Sequence, residues 1–129
     1  MKYLSIDWLE ALNTVLQSSE VMKSVAANHS IAVTQLITDS PDGDVLYHLS
    51  VRDGSASIGP GAAVDEDVRL EQSYDTAVSV ATGRANTQEL FVNGSIRIHG
   101  NVTKLIASEP VFAALDAVFE AVRPQVDYN

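Results

Sequence analysis

LFVNGSIRIHGN, residues Leu90–Asn101, holds two glycines six positions apart, Gly94 and Gly100, around a short alternating run. Ile96 and Ile98 fall on one face of that run, and Ser95, Arg97 and His99 on the other. Alternation over five residues between turn-forming glycines predicts a half-buried β-strand. Such a strand needs a sheet to join and something apolar to cover it, so its neighbours decide the fold.

Upstream, the first apolar pattern is helical. In SIDWLEALNTVLQSS, Trp8, Leu9, Leu12, Val15 and Leu16 share one face. Ser5 or Asp7 can cap this helix, and Asp7 with Glu10 three residues later resembles a capping box. EVMKSVAANHS continues with a weaker helical pattern that Asn28 can close in a left-handed conformation. The period then changes to two. Ile31, Val33 and Ile37 share a face interrupted by Gln35, and SPDGD is a turn. Val45, Tyr47, Leu49 and Val51 form the next apolar face, with His48, Ser50 and Arg52 opposite. Asp53-Gly54 is a two-residue hairpin signal leading into SASIG. PGAAVDE is a loop, and DVRLEQ is a fourth strand with Val68 and Leu70 inward. Four strands in this order predict an antiparallel meander.

Helix returns at SYDTAVSVATG, with Ser73 as cap, Asp75 in the first turn and Gly83 at the left-handed C′ position. NTQELFVNG is a short helical turn, capped by Asn86 or Thr87 and ended by Gly94. Beyond the fifth strand, Gly100 turns the chain toward a last helix from Glu109 to Val122. Ser108 or Glu109 caps it and Pro110 sits in its first turn. Val111, Phe112, Leu115, Val118, Phe119 and Val122 make a wide apolar stripe. Full burial of six such side chains contributes up to roughly 10 kcal/mol or more, so this helix docks on something.

Composition bounds the chemistry. The 129 residues suit one folded domain, and 46% apolar with 19% charged residues argues against disorder. With no cysteine there is no disulfide, thiolate nucleophile or zinc–cysteine site, which fits a reducing compartment. MKYLSIDWLEAL lacks the apolar core of a signal peptide, and no apolar run reaches the ~20 residues that span a bilayer. The expectation is a cytoplasmic protein. Seventeen acids against eight basic residues leave a net charge of −9, which disfavours nucleic acid and anionic membrane alike.

The order of helix, four strands, helix, glycine-bounded turn, fifth strand and amphipathic helix resembles the sterol carrier protein 2 (SCP2) sterol-binding domain family. The matching pieces are the VRDG turn, the GPG loop with Gly61, DVRLEQSYD running into a helix, ATGRANTQELF, and NGSIRIHGN. They cover essentially the whole chain, 1–129, as one domain. Thr87 stands where the family commonly has proline, and RPQVDYN carries no peroxisomal tripeptide. The resemblance implies an α+β fold, a five-stranded, mostly antiparallel twisted sheet covered on one face by helices. It also implies an apolar tunnel between sheet and helices, for a sterol, fatty acid or acyl-CoA, with no cofactor and no metal. Gly94 and Gly100 are then the turns that bring the fifth strand to a sheet edge and release it toward the closing helix.

The residues expected to line that tunnel are Trp8, Leu12, Tyr47, Leu49, Ile96, Ile98, Val111, Phe112, Leu115 and Phe119. Phe112 and Phe119 would stand on the wall formed by the last helix. Two other functions compete. The same apolar stripe serves an interaction module, a homodimer or an accessory subunit of a lipid-metabolising enzyme. A small enzyme would need acid–base chemistry on a steroid-like substrate, with Tyr47 as its polar-tipped inward group. No HExxH, GxSxG, phosphate-binding or dinucleotide motif supports catalysis. His48 and His99 fall on polar strand faces and His29 near a helix end, so the expectation is a carrier rather than an enzyme.

Overall fold

The computed structural model describes residues 1–85 and 87–128, with Thr87 and Gln88 described through their backbone alone. Two helices, α1 (Ile6–Ser18) and α2 (Glu20–Ala26), precede four strands: β1 (Ile31–Ser40), β2 (Gly43–Arg52), β3 (Ser55–Pro60) and β4 (Val68–Ser73). Then come α3 (Tyr74–Ala81), α4 (Thr87–Val92), β5 (Ile96–Gly100), α5 (Val102–Ala107) and α6 (Glu109–Val122), followed by a 3₁₀ turn over Arg123–Gln125.

Local chemistry accounts for most boundaries. Ser5 accepts the Trp8 amide at the start of α1, so Asp7 lies in the first turn and no Asp7–Glu10 capping box forms. Ser19 ends α1 and caps α2 by accepting the Met22 amide. Asn28 does not close α2 in the left-handed region; Ala27 ends it in the right-handed one. Asp53 and Gly54, at φ +53° and +78°, form the expected hairpin turn. Ser73 caps α3 through the Thr76 amide, and Gly83 follows with φ +75°. Asn86, one of the caps expected for α4, lies outside the described residues, as does the Thr87 side chain. Ser108 holds the N-cap position of α6 but makes no cap bond there; its hydroxyl donates to the Lys104 carbonyl instead.

The sheet order is β3-β2-β1-β4-β5, and β1 pairs with β4 in parallel. This corrects the meander. The β1–β2, β2–β3 and β4–β5 pairs are antiparallel, but β4 crosses to the far side of β1 instead of joining β3. Three strand spacings, about 14 Å, separate the ends that residues 61–67 connect, well within reach of such a loop. The crossover passes over the face away from the helices and is fastened to β1. Ala63 N–H donates to Thr34 Oγ1 at 2.9 Å, Asp67 N–H to the Ala32 carbonyl at 2.9 Å, and Ala32 N–H to Asp67 Oδ2 at 2.7 Å. Thr34 is thereby buried although it points to the polar side of β1. Thr34→Val would leave the buried Ala63 amide unpaired, so a loss of about 1–3 kcal/mol in urea unfolding is expected.

Registers place one apolar layer under the helices. Val51, Leu49 and Tyr47 of β2 stand beside Ile31, Val33 and Gln35 of β1. Val68, Leu70 and Gln72 of β4 continue that face, and Ile98 and Ile96 of β5 complete it. The α1 helix contacts β3 and α6, α3 contacts β1 and β4, and α4 contacts β5. Asn13 on α1 accepts the Ile58 amide at 3.0 Å, which occupies a donor of the β3 edge. The α5 helix was not legible in the sequence: of its six residues Leu105 alone is buried, too little to make a stripe. No helix among the described residues is long and apolar enough to cross a membrane.

Candidate ligand cavity

A cavity of about 540 Å³ lies where the sheet, α3 and α6 meet. Its sheet wall is Gln35, Tyr47 and Gln72, from three adjacent strands. Ala77, Val80 and Ala81 supply the α3 wall, and Asp116, Phe119 and Glu120 the α6 wall. Small side chains on α3 leave the space that larger ones would fill. Gly83, Asp116 and Glu120 are exposed and set the mouth in solvent. The volume falls in the usual range of small-molecule sites, about 300–1,000 Å³.

Aromatic rings build the inner end. Trp8 stacks on Phe119 with centroids 6.0 Å apart, and meets Tyr47 edge-on at 5.3 Å and Tyr3 edge-on at 4.9 Å. Tyr3 precedes α1 and is held by its amide's bond to the Asp127 carbonyl at 3.1 Å. Its ring also packs on Tyr74 and Tyr128. Burial pushes the Tyr47 phenol well above 10. Tyr3 is raised as well, first by burial and then by Tyr47, Tyr128 and Tyr74. Both therefore stay neutral at physiological pH and can donate or accept a hydrogen bond.

Polar side chains make up much of the lining: Gln35, Gln72, Asp116, Glu120 and Arg123 join the two phenols. Gln72 Nε2 donates to Gln35 Oε1 at 3.2 Å, joining β1 and β4 across the inner face. Arg123 Nε donates to the Ala81 carbonyl at 2.7 Å, tying the end of α6 to the end of α3. Asp116 is reached by solvent, yet its place over the cavity partly desolvates the carboxyl and raises its pKa, with the Arg123 charge pulling the other way.

Of the ten residues expected to line a tunnel, Tyr47 and Phe119 line this cavity. Trp8 backs both rings. Leu12, Leu49, Ile96, Val111 and Leu115 are buried in the continuous core, and Ile98 and Phe112 pack half-buried against it. Tyr3, Gln72, the α3 alanines and Arg123 were missed. Gln72 had a signal, since it follows Val68 and Leu70 at the period-two positions of β4. The others had none, because their place at the cavity comes from how distant segments meet.

The comparisons with known proteins point one way. Over 107 residues the chain is 31% identical to an oleate-induced peroxisomal protein of Candida maltosa, covering 83% of this chain and 82% of that one. It is 28% identical over 103 residues to a fatty acid-binding protein of Yarrowia lipolytica, covering 79% and 80%. Its fold superposes on the crystal structure of sterol carrier protein 2 with a TM-score of 0.74 and 19% identity, covering 91% of this chain and 96% of that one. The family match itself, to the SCP-2 sterol transfer family, runs over residues 10–113 and takes in all five strands. On that extent the chain belongs to the SCP-2 sterol transfer family.

Proposed function

We propose that residues 1–129 act as one lipid-binding domain that holds and carries an apolar ligand without transforming it. The observation that carries this reading is the cavity between sheet, α3 and α6, with an aromatic inner end and a mouth in solvent. Family membership supports it, as do two relatives whose names concern oleate induction and fatty acid binding. A non-catalytic role is favoured by the phenols at the inner end, whose raised pKa values make them poor proton-transfer groups near neutrality. His48 and His99 belong to the sheet face turned away from the cavity. The cysteine-free composition suits a reducing compartment, and we place the protein in the cytoplasm.

Native mass spectrometry of the purified chain, followed by organic extraction, tests this. A stoichiometric apolar adduct is expected. Phe119→Ala should weaken ligand binding roughly tenfold by removing one wall of the cavity. Because Phe119 also stacks on Trp8, Val80→Trp provides the companion test: it fills the cavity from α3 and should abolish the adduct while the fold is retained. A clean apo mass, with no thermal stabilisation by sterols or acyl compounds, would sink the carrier reading.

A further inference from the structure

Asn93 alone among the asparagines of the chain is followed by glycine. It stands between α4 and β5, and Asn93, Gly94 and Ser95 are all exposed. Glycine has no Cβ to shield its own nitrogen, so that nitrogen can approach the carboxamide carbon of the side chain before it. Gly94 N–H reaches the Phe91 carbonyl only at 3.3 Å, beyond the usual N–H···O range, and is loosely held. Other asparagines are placed differently. Asn13 lies within α1 with its Oδ1 on the Ile58 amide, and Asn101 caps α5 and precedes the β-branched Val102. Asn28 precedes His29, whose ring is bonded to the Val25 carbonyl.

The turn also prepares the Asn93 side chain. Its Oδ1 accepts the Ser95 amide at 2.9 Å, which folds the carboxamide back along Gly94. When a nucleophile adds to Cγ, that oxygen becomes the oxyanion, and the Ser95 amide already stands at the distance from which backbone donors stabilise one. Gly94 N gives up its proton to hydroxide and attacks Asn93 Cγ, forming an N–Cγ bond. The Cγ–Nδ2 bond then breaks, and Nδ2 takes a proton and leaves as ammonia, so that a cyclic succinimide remains. Water opens the ring at either carbonyl. Opening at Cγ restores the backbone and leaves aspartate; opening at the Asn93 backbone carbonyl leaves isoaspartate, whose chain runs through Cβ and Cγ. One water is consumed, one ammonia is released, and one negative charge is gained.

The two products differ in what they do to the fold. Leu90 and Phe91 of α4 pack against the core, and Ile96 is buried at the end of the β4–β5 ladder opposite Gln72. An isoaspartyl link inserts a methylene into the backbone between these two anchored segments. Aspartate keeps the backbone length, and its carboxylate can still accept the Ser95 amide.

We propose that Asn93 is a spontaneous deamidation site, with Gly94 N as the nucleophile and the Ser95 amide as donor to the oxyanion, and that its isoaspartyl product loosens the joint between α4 and β5.

The test holds the full chain at pH 8 and 37 °C and follows its intact mass, with peptide fragmentation to locate the change. A gain of about 1 Da at Asn93 is expected, with isoaspartate among the products. The same chain unfolded in guanidinium chloride is the reference, and the folded rate should equal or exceed it. Gly94→Ala should slow the folded reaction roughly tenfold or more, because its methyl stands beside the attacking nitrogen. The isoaspartyl fraction should melt several degrees below fresh protein, whereas Asn93→Asp should stay within about 2 °C of it. A folded rate about tenfold below the unfolded one, a first reaction at another asparagine, or an unchanged rate in Gly94→Ala would overturn the site. An isoaspartyl fraction that melts with fresh protein, or an Asn93→Asp variant that melts equally low, would overturn the effect on α4 and β5.

Discussion

Trp8→Ala is expected to lower the unfolding free energy by about 3–5 kcal/mol, a third or more of an ordinary domain's stability. Trp8 is 1% exposed. Its ring touches three others from three separate parts of the chain: Tyr3 ahead of α1, Tyr47 on β2 and Phe119 on α6. Deleting the indole removes its transfer free energy, opens a void, and takes away the ring on which Tyr3, Tyr47 and Phe119 all pack. None of its neighbours can collapse into the gap without leaving its own element. Far-ultraviolet circular dichroism in urea measures the loss; fluorescence would not, because Trp8 is the sole tryptophan. The midpoint should fall at nearly constant slope. A loss under about 1 kcal/mol would mean that the ring is not packed between α1, β2 and α6. The same substitution should also reduce ligand binding, since Tyr47 and Phe119 lose their common support.

Gly100→Ala carries the second large effect, on the order of 2–3 kcal/mol. Gly100 ends β5 with φ +108°, a region that side chains rarely enter. It pairs with Val68 across the β4–β5 ladder, and an added Cβ would stand 2.6 Å from the Asp67 carbonyl oxygen and 3.2 Å from Val68 Cα. Both obstacles are backbone, so no side chain can rotate away. Asp67 cannot yield cheaply either. Its carbonyl accepts the Asn101 amide at 2.9 Å, and its carboxylate holds the Ala32 amide and pairs with Lys104 at 3.1 Å. A melting temperature lower by roughly 8–15 °C is expected, with the largest gain in amide exchange along β5. Gly94→Ala is the control. It shares a positive φ of +83°, but an added Cβ would meet nothing within 4 Å, so its cost should be that of the dihedral alone, about 1–2 kcal/mol. Equal losses at the two positions would refute the close approach as the cause.

These glycines show where sequence reasoning reaches. Alternation between Gly94 and Gly100 specified a strand with Ile96 and Ile98 inward, and β5 is that strand, at the sheet edge. Ser5, Ser73, Asp53-Gly54 and Gly83 were legible for the same reason: each acts within three or four residues of itself, through a cap or a positive φ. Where two local solutions compete, the sequence is less decisive. Asp7 and Glu10 suit a capping box, yet Ser5 lies two positions earlier and takes the cap. Asn28 tolerates the left-handed region, but α2 already ends at Ala26 without it.

By itself, then, the sequence determined the kinds of elements, most of their ends, the apolar face of each, and a family resemblance that the match over residues 10–113 bears out. Tertiary structure alone decided that β4 lies against β1 rather than β3, and that Tyr3, Gln72, Ala81 and Arg123 meet around one cavity. The physical reason is range. Helical period, capping and turn dihedrals are settled among near neighbours. Strand order rests on the pairing of β4 with β1 and on a crossover fastened to Thr34 and Ala32, residues about thirty positions away from it. The cavity is settled by how far α3, with its alanines, stands from α6. Those distances are sums over packing contacts between segments dozens of residues apart, and no single stretch of the chain encodes them.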